Sequence, residues 1–192
     1  LSVQRHPSAA SSHLGGYPLL GRPWWVAPAA SRILSLVDGE SRGIRSLNVF
    51  PTGRLNSLNR TRADVINLHW VGSETLSIEE IGKIAKPTVW TLHDMWAFCG
   101  AKHLGDPGPN ARWRSGYKAT PGRRFDIERW VWQRKKASWG TDGWVICPSK
   151  WLSGCARDSA LMRDWNIVTI PNALDTDIYA PRTKSECRAR LG

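Results

Sequence analysis

Ala63-Asp64-Val65-Ile66-Asn67-Leu68-His69-Trp70 and, further on, Pro87-Thr88-Val89-Trp90-Thr91-Leu92-His93-Asp94-Met95-Trp96 decide how this chain folds. Each is a short β-branched, apolar run that ends in histidine, tryptophan or aspartate. That is the pattern of a buried parallel strand delivering polar side chains at its carboxyl edge. In open α/β sheets ligands bind at that edge. Two later runs, Trp144-Val145-Ile146-Cys147-Pro148-Ser149 and Asn166-Ile167-Val168-Thr169-Ile170-Pro171-Asn172, end in the same way.

Between these runs the pattern changes period. Ser77-Ile78-Glu79-Glu80 is a capping box, and Ile78, Ile81 and Ile84 follow at helical spacing until Pro87 stops the helix. Ser149 stands at a strand-to-helix junction, with Trp151, Leu152 and Cys155 behind it, and is expected to be an N-cap. The helix amino terminus behind it also favours anions. Strand and helix signals thus alternate from Asp64 onward, the signature of βαβ units in an α/β, Rossmann-like parallel sheet flanked by helices.

The segment from Phe125 to Trp139 reads as a helix with two apolar sides. At 100° per residue, Ile127, Trp130 and Val131 fall on one side and Phe125, Trp132 and Trp139 on the other. One side can pack on the sheet. The other needs the long loop, a further domain, a membrane surface, or simply more of its own domain. That loop, Phe98 to Gly122, is rich in Gly, Pro and Arg, and loops of such length are more often functional than accidental.

Residues 1–45 carry Ser, Gly, Pro and Ala in irregular order and are expected to be poorly ordered, with a partial helix over Ser31 to Val37. No strand with a glycine-rich turn precedes that patch. The expected organisation is a lead-in over 1–45, the sheet domain over 46–181, and the start of a linker or helix over 182–192.

With 192 residues the chain can build one sizeable core. It starts at Leu1 and stops inside a helical pattern at Gly192, which suggests a fragment. No run approaches the roughly 18 apolar residues of a membrane span and no secretion signal opens the chain, so a cytoplasmic location is expected. The four cysteines form no C-x-x-C pair. Cys99 and His103 alone fall short of the four ligands of structural zinc, and no metal is expected.

The net charge of +11 implies attraction to phosphate-bearing partners. The cluster Arg112-Trp113-Arg114, Tyr117-Lys118, Arg123-Arg124 and Arg134-Lys135-Lys136 could stack and neutralise single-stranded nucleic acid. A solvated basic face or contact with an anionic membrane is favoured over nucleic acid, at roughly 1 kcal/mol per Lys or Arg near such a membrane. Twelve tryptophans suit stacking as well as packing.

His93 is the leading candidate for chemistry, since a strand-tip histidine can orient a sugar hydroxyl or move a proton near neutral pH. Asp94 follows it directly, Trp96 is close, and His69 and Trp70 occupy the same place on the preceding strand. A histidine satisfied by a backbone carbonyl is the bland alternative. Hydrolase elbows, phosphate-binding loops, dinucleotide fingerprints and the H-E-x-x-H zinc motif are all absent.

Asp64 to Trp70, Trp90 to Phe98, Pro148-Ser149-Lys150-Trp151-Leu152 and Ile170-Pro171-Asn172-Ala173-Leu174-Asp175-Thr176, taken in order, resemble the amino-terminal half of family 4 glycosyltransferases. The similarity covers about Ser46 to Pro181 and is greatest to the bacterial exopolysaccharide and colanic-acid branch. The resemblance implies an incomplete GT-B amino-terminal domain on the acceptor side. It further implies retaining sugar transfer from a nucleotide-diphosphate sugar to a glycan or lipid-linked acceptor, without a cofactor or metal.

On this resemblance His93 matches the family's cleft histidine and is the catalytic candidate, while Ser149 and Asn172 match positions at the cleft and near the interdomain hinge. His69, Trp70, Asp94 and Trp96 complete the expected substrate contacts. The partners implied are a lipid-linked sugar at the cytoplasmic face of the inner membrane and a donor-binding domain that lies outside this chain. A chain with neither the opening strand nor the donor domain is expected to be inactive alone. The rival expectations are a non-enzymatic module binding nucleic acid or an anionic membrane, and a fragment unable to fold.

Overall fold

In the computed structural model, residues 43–119, 122 and 125–192 are described. The expected lead-in over 1–45 therefore lies almost wholly outside the described residues, as do the helix expected over Ser31 to Val37 and the pair Arg123-Arg124.

The elements follow as α1 (Leu55–Arg60), β1 (Ile66–His69), α2 (Ile78–Ile81), β2 (Thr88–Thr91), α3 (Arg112–Ser115), α4 (Ile127–Ser138), β3 (Trp144–Cys147), α5 (Lys150–Asp158), β4 (Asn166–Thr169) and α6 (Lys184–Leu191). The strands form one sheet in the order β1-β2-β3-β4, every pair parallel. An α/β, Rossmann-like parallel sheet flanked by helices is what the four apolar runs led one to expect, and all four become strands.

The caps also match the sequence. Ser77 accepts from the Glu80 N–H while the Glu80 side chain returns to the Ser77 N–H, so the capping box is closed at both ends of its reach. Ser149 Oγ accepts from the Leu152 N–H at 3.2 Å and starts α5. Asp126 caps α4 through the Arg129 N–H.

The sheet differs from the expected form in one respect. Its strands run in chain order, so each crossover steps in the same direction, and right-handed connections then fall on one face. Burial follows this rule. Leu68, Trp90 and Val145 share a register row and are buried. The opposite face carries Asn67 and His69 on β1, both exposed, with Trp144 at 54% and Val168 at 40% exposure. Among the described residues the strands therefore alternate inward and outward, and are not buried on both sides. The order contains no reversal, so the described strands include no topological switch point.

The two-sided helix is α4; on its second side Trp132 and Trp139 pack within its own domain, while Phe125, ahead of the helix, is 46% exposed. Trp132 is buried against Tyr117 with ring centroids 6.0 Å apart, and Trp139 is buried edge-on to Trp90 at 4.9 Å. Arg134 ties α4 to α2 through both oxygens of Glu79 and to the carbonyls of Leu47 and Asn48. Lys135 is fully buried. Its ammonium donates to the carbonyls of Trp96, Cys99 and Gly100 and lies 3.8 Å from the centre of the Trp96 ring. The helix so clamps the segment that follows β2.

Candidate functional site

Both predicted strand-tip histidines reach the same rim. His69 ends β1, which pairs in register with β2 so that His69 stands beside Thr91. His93 follows two residues later and therefore shares Thr91's face of the sheet. The ring nitrogens His69 Nδ1 and His93 Nε2 are 2.9 Å apart, so one ring donates and the other accepts. Burial, and then the neighbouring His93, hold the His69 pKa below its ordinary value.

A cavity of about 540 Å³ opens at this carboxyl edge and is lined by Trp70, His93, Asp94, Ser149 and Trp151 among others. Four residues singled out from the sequence, contributed by the ends of β1, β2 and β3, thus face one space. Its volume is in the range of small-molecule sites, and its lining is apolar with a few convergent polar groups, as such sites usually are. Trp151, half exposed on the first turn of α5, is a wall residue that the sequence reading had placed only on the helix.

Trp70 holds a left-handed backbone conformation, φ 36°, and leaves its indole 45% exposed. For a bulky residue that conformation is strained and has to be maintained by its surroundings. The strain turns the chain at the end of β1 and lays the indole over the His103 ring, with centroids 5.5 Å apart.

Asp94 is anchored from behind. Its Oδ1 accepts from the Trp96 N–H at 2.9 Å and its Oδ2 meets His103 Nδ1 at 2.6 Å. Burial would raise the Asp94 pKa. The hydrogen bond from His103, that from the Trp96 N–H and the charge of His103 outweigh it and hold the carboxyl below the usual range. His103 in turn meets Ser46 Oγ through Nε2 at 2.7 Å. The sequence reading considered His103 only as half of a metal pair with Cys99, and did not consider Ser46 at all. Residues 57 positions apart carry no local signal of such a contact.

Three of the expected site residues do not line the cavity; His69 meets it only through its hydrogen bond to His93. Trp96 is 2% exposed and its indole N–H donates to the Ser46 carbonyl, so it supports the site from the core and does not offer a face to the cavity. Asn172 is exposed beyond β4 and does not line the cavity. Cys99 is buried near Lys135, and burial pushes its thiol up to about 12. Among the described residues no group of three His, Cys, Asp or Glu side chains is placed to hold a metal ion.

The basic aromatic cluster is largely consumed inside the fold. Arg112 pairs with Asp126 and lies over Tyr117, Arg114 pairs with Asp158 at 2.5 Å and lies over Trp113, and Trp113 itself is 1% exposed. Lys135 is buried as well, so among the described basic and aromatic residues of this segment Phe125, 46% exposed, remains at the surface with Lys118 and Lys136.

A second cavity of about 560 Å³ lies at the opposite, amino edge of the sheet, between Trp90, Trp139, Trp144 and Trp165. It contains none of the sequence-predicted site residues and no histidine, so the carboxyl-edge cavity is the better candidate for chemistry. No helix among the described residues is long and apolar enough to cross a membrane.

Fold and rim together define an α/β chain with a parallel sheet and a histidine–aspartate cavity at the strands' carboxyl edge. No family model, curated protein or solved structure matches the chain.

Proposed function

We propose that this chain is the acceptor-side part of a retaining glycosyltransferase of the family 4 type with GT-B architecture. In this reading it helps to transfer a sugar from a nucleotide-diphosphate donor to a glycan or lipid-linked acceptor in surface polysaccharide assembly. The observation that carries the reading is the shared cavity of His93 and Asp94 with the indoles of Trp70 and Trp151. Indole faces suit the apolar faces of sugar rings, while a carboxylate and an imidazole bind hydroxyls and move their protons.

Transfer forms a bond from the acceptor oxygen to the anomeric carbon and breaks the bond from that carbon to the nucleoside diphosphate. The proton leaving the acceptor oxygen passes to a base at the rim or to the departing phosphate. His93 is suited to assist, because one of its ring nitrogens is engaged by His69 and its ring borders the cavity. Asp94, anchored by His103 and the Trp96 N–H, is suited to fix a hydroxyl. The donor would lie against a second domain contributed from outside this chain.

The test is the complete coding sequence around this chain, expressed and supplied with nucleotide-diphosphate sugars and a lipid-linked sugar acceptor. Transfer with the anomeric configuration retained supports the reading, and a complete product that transfers no sugar removes it. The rival reading, a basic module that binds nucleic acid or an anionic membrane without catalysis, predicts steeply salt-dependent binding to oligonucleotides or to anionic vesicles.

A further inference from the structure

Asp94, His103 and Ser46 form one hydrogen-bonded line, with His103 Nδ1 at 2.6 Å from Asp94 Oδ2 and His103 Nε2 at 2.7 Å from Ser46 Oγ. Carboxylate, imidazole and hydroxyl in that order are the parts of an acyl-transfer nucleophile. Here the hydroxyl is at the wrong end. Ser46 is 3% exposed, its oxygen already accepts from the Ser73 N–H at 2.9 Å, and it does not line the carboxyl-edge cavity. The end that reaches the cavity is Asp94, whose side chain is 25% exposed.

The contacts fix which end of the ring serves Asp94. Ser46 Oγ accepts from the Ser73 N–H with one lone pair and meets His103 Nε2 either as donor or through its second lone pair. An ionised Asp94 can only accept, so the proton between the two side chains is carried by His103 Nδ1. The ring is buried in contact with the indoles of Trp70 and Trp96, with centroids at 5.5 and 6.2 Å. The fold leaves it no slack on the remaining side: a Cβ on Gly72 would lie 2.8 Å from both His103 Cε1 and Ser46 Oγ.

We propose that His103, locked by Ser46, is a positioning residue that holds the Asp94 carboxylate in one orientation at the cavity rim, where it accepts a hydrogen bond from a hydroxyl of the sugar acceptor. The inference rests on the sugar-acceptor reading of the cavity and adds to it which carboxylate grips the acceptor and what aims it. A carboxylate with two oxygens already oriented loses little freedom when it takes up a hydroxyl, which is how preorganised groups gain affinity.

The test uses the full chain with ring-¹⁵N histidine and ¹³C aspartate, and methyl β-galactoside and methyl α-glucoside as probes. In the unaltered protein His103 Nδ1 is expected to carry a proton. A His103 found as the opposite tautomer overturns the relay without any variant being made. His103→Asn places an amide donor near the former Nδ1, whereas His103→Gln places it near the former Nε2 and abandons Asp94.

The Gln variant is expected to raise the Asp94 pKa back toward the ordinary carboxylate range and weaken glycoside binding about tenfold, with the Asn variant restoring most of both. A structural role alone would make the two variants fail alike. An Asp94 that titrates unchanged in the Gln variant overturns the inference, whatever the sugars do. If instead the relay behaves as expected and the unaltered protein binds neither glycoside, the sugar reading of the cavity falls while the relay's hold on Asp94 stands.

Discussion

His69 and His93, 24 residues apart in sequence, share a hydrogen bond of 2.9 Å between Nδ1 and Nε2 across the carboxyl edges of β1 and β2. Two imidazoles in such contact share one hydrogen, and placing a second proton on the pair sets like charges side by side. The His69 pKa is lowered by its burial and then by His93. Replacing His93 by Ala is therefore expected to raise the His69 pKa toward its ordinary value near 6.5, read by ¹H–¹³C titration. No movement of His69 in that variant would mean the pair is not formed in solution. Under the proposed glycosyltransferase function the same replacement should lower turnover by about 10²-fold or more, the usual scale for a proton-handling group, while the melting temperature changes little because His93 is exposed. Equal losses of turnover and stability would leave His93 a structural role only.

Much of this rim was legible in the sequence, and the reason is periodicity. A strand's alternation and abrupt polar end identify both the element and the end that carries the polar groups, so His69, His93, Asp94 and Ser149 could be named as residues of one edge. Ser77 and Ser149 were legible as caps because capping chemistry is local. The relay behind Asp94 was not, because Ser46 and His103 come together only when residues 44–46 lie antiparallel to residues 101–103, tied by Ser46 N–H to the Ala101 carbonyl and His103 N–H to the Ile44 carbonyl. The role of Trp96 was misjudged for a related reason. Proximity in sequence to Asp94 says nothing about which way a side chain points once the strand has ended, and its indole turns into the core. Helical spacing sorts Ile127 and Val131 from Trp132 on the two sides of α4, but it placed Phe125 on a helix that starts only after Asp126, and spacing does not say what covers each side.

Gly72 and Gly82 are expected to tolerate no side chain, for different reasons. An alanine Cβ at Gly72 would crowd His103 and Ser46 side-chain atoms at 2.8 Å, which can shift only by disturbing the relay. At Gly82 it would lie 2.0 Å from the backbone carbonyl oxygen of Ser138, where α2 meets the end of α4. Gly72→Ala should cost about 1–3 kcal/mol by denaturant unfolding, and Gly82→Ala more, because backbone yields less readily than side chains. A Gly72→Ala chain of unchanged stability that also keeps the His103 tautomer would show the relay to be looser than the distances imply.

The outward face of the sheet is apolar near β4. Val168 is 40% and Ile170 52% exposed, and Trp144, 54% exposed, stands on β3 beside Asn166. Such a face beside an edge strand favours association between copies. Val168→Lys combined with Ile170→Lys is expected to lower self-association in sedimentation velocity, while shifting stability by no more than about 0.5 kcal/mol per site, as exposed substitutions usually do. A large loss of stability would show instead that another part of the chain packs over this face.

Lys135 makes the stability of the fold depend on pH above neutrality. Burial pushes its pKa down to about 7, against the pull of neighbouring Cys99 and Glu128, although three carbonyls and the Trp96 ring surround the amine. An unfolded chain keeps this proton until about pH 10.4. Between those values the unfolded state binds more protons than the folded one, so stability rises with pH, by up to about 1.4 kcal/mol per unit. Above about pH 9 the sign reverses, because burial raises the Cys99 thiol to about 12 and the Cys147 thiol to about 11, and the unfolded thiols ionise first. Denaturant midpoints should therefore climb from pH 7 to about 9 and fall beyond it. Lys135→Met should lose about 3 kcal/mol or more at pH 7 by leaving the Trp96, Cys99 and Gly100 carbonyls unpaired, and should show no climb. A midpoint that is flat from pH 7 to 9 in the unaltered protein would mean that the carbonyls keep Lys135 charged, and that its grip on the segment behind the cavity is that of a permanent cation.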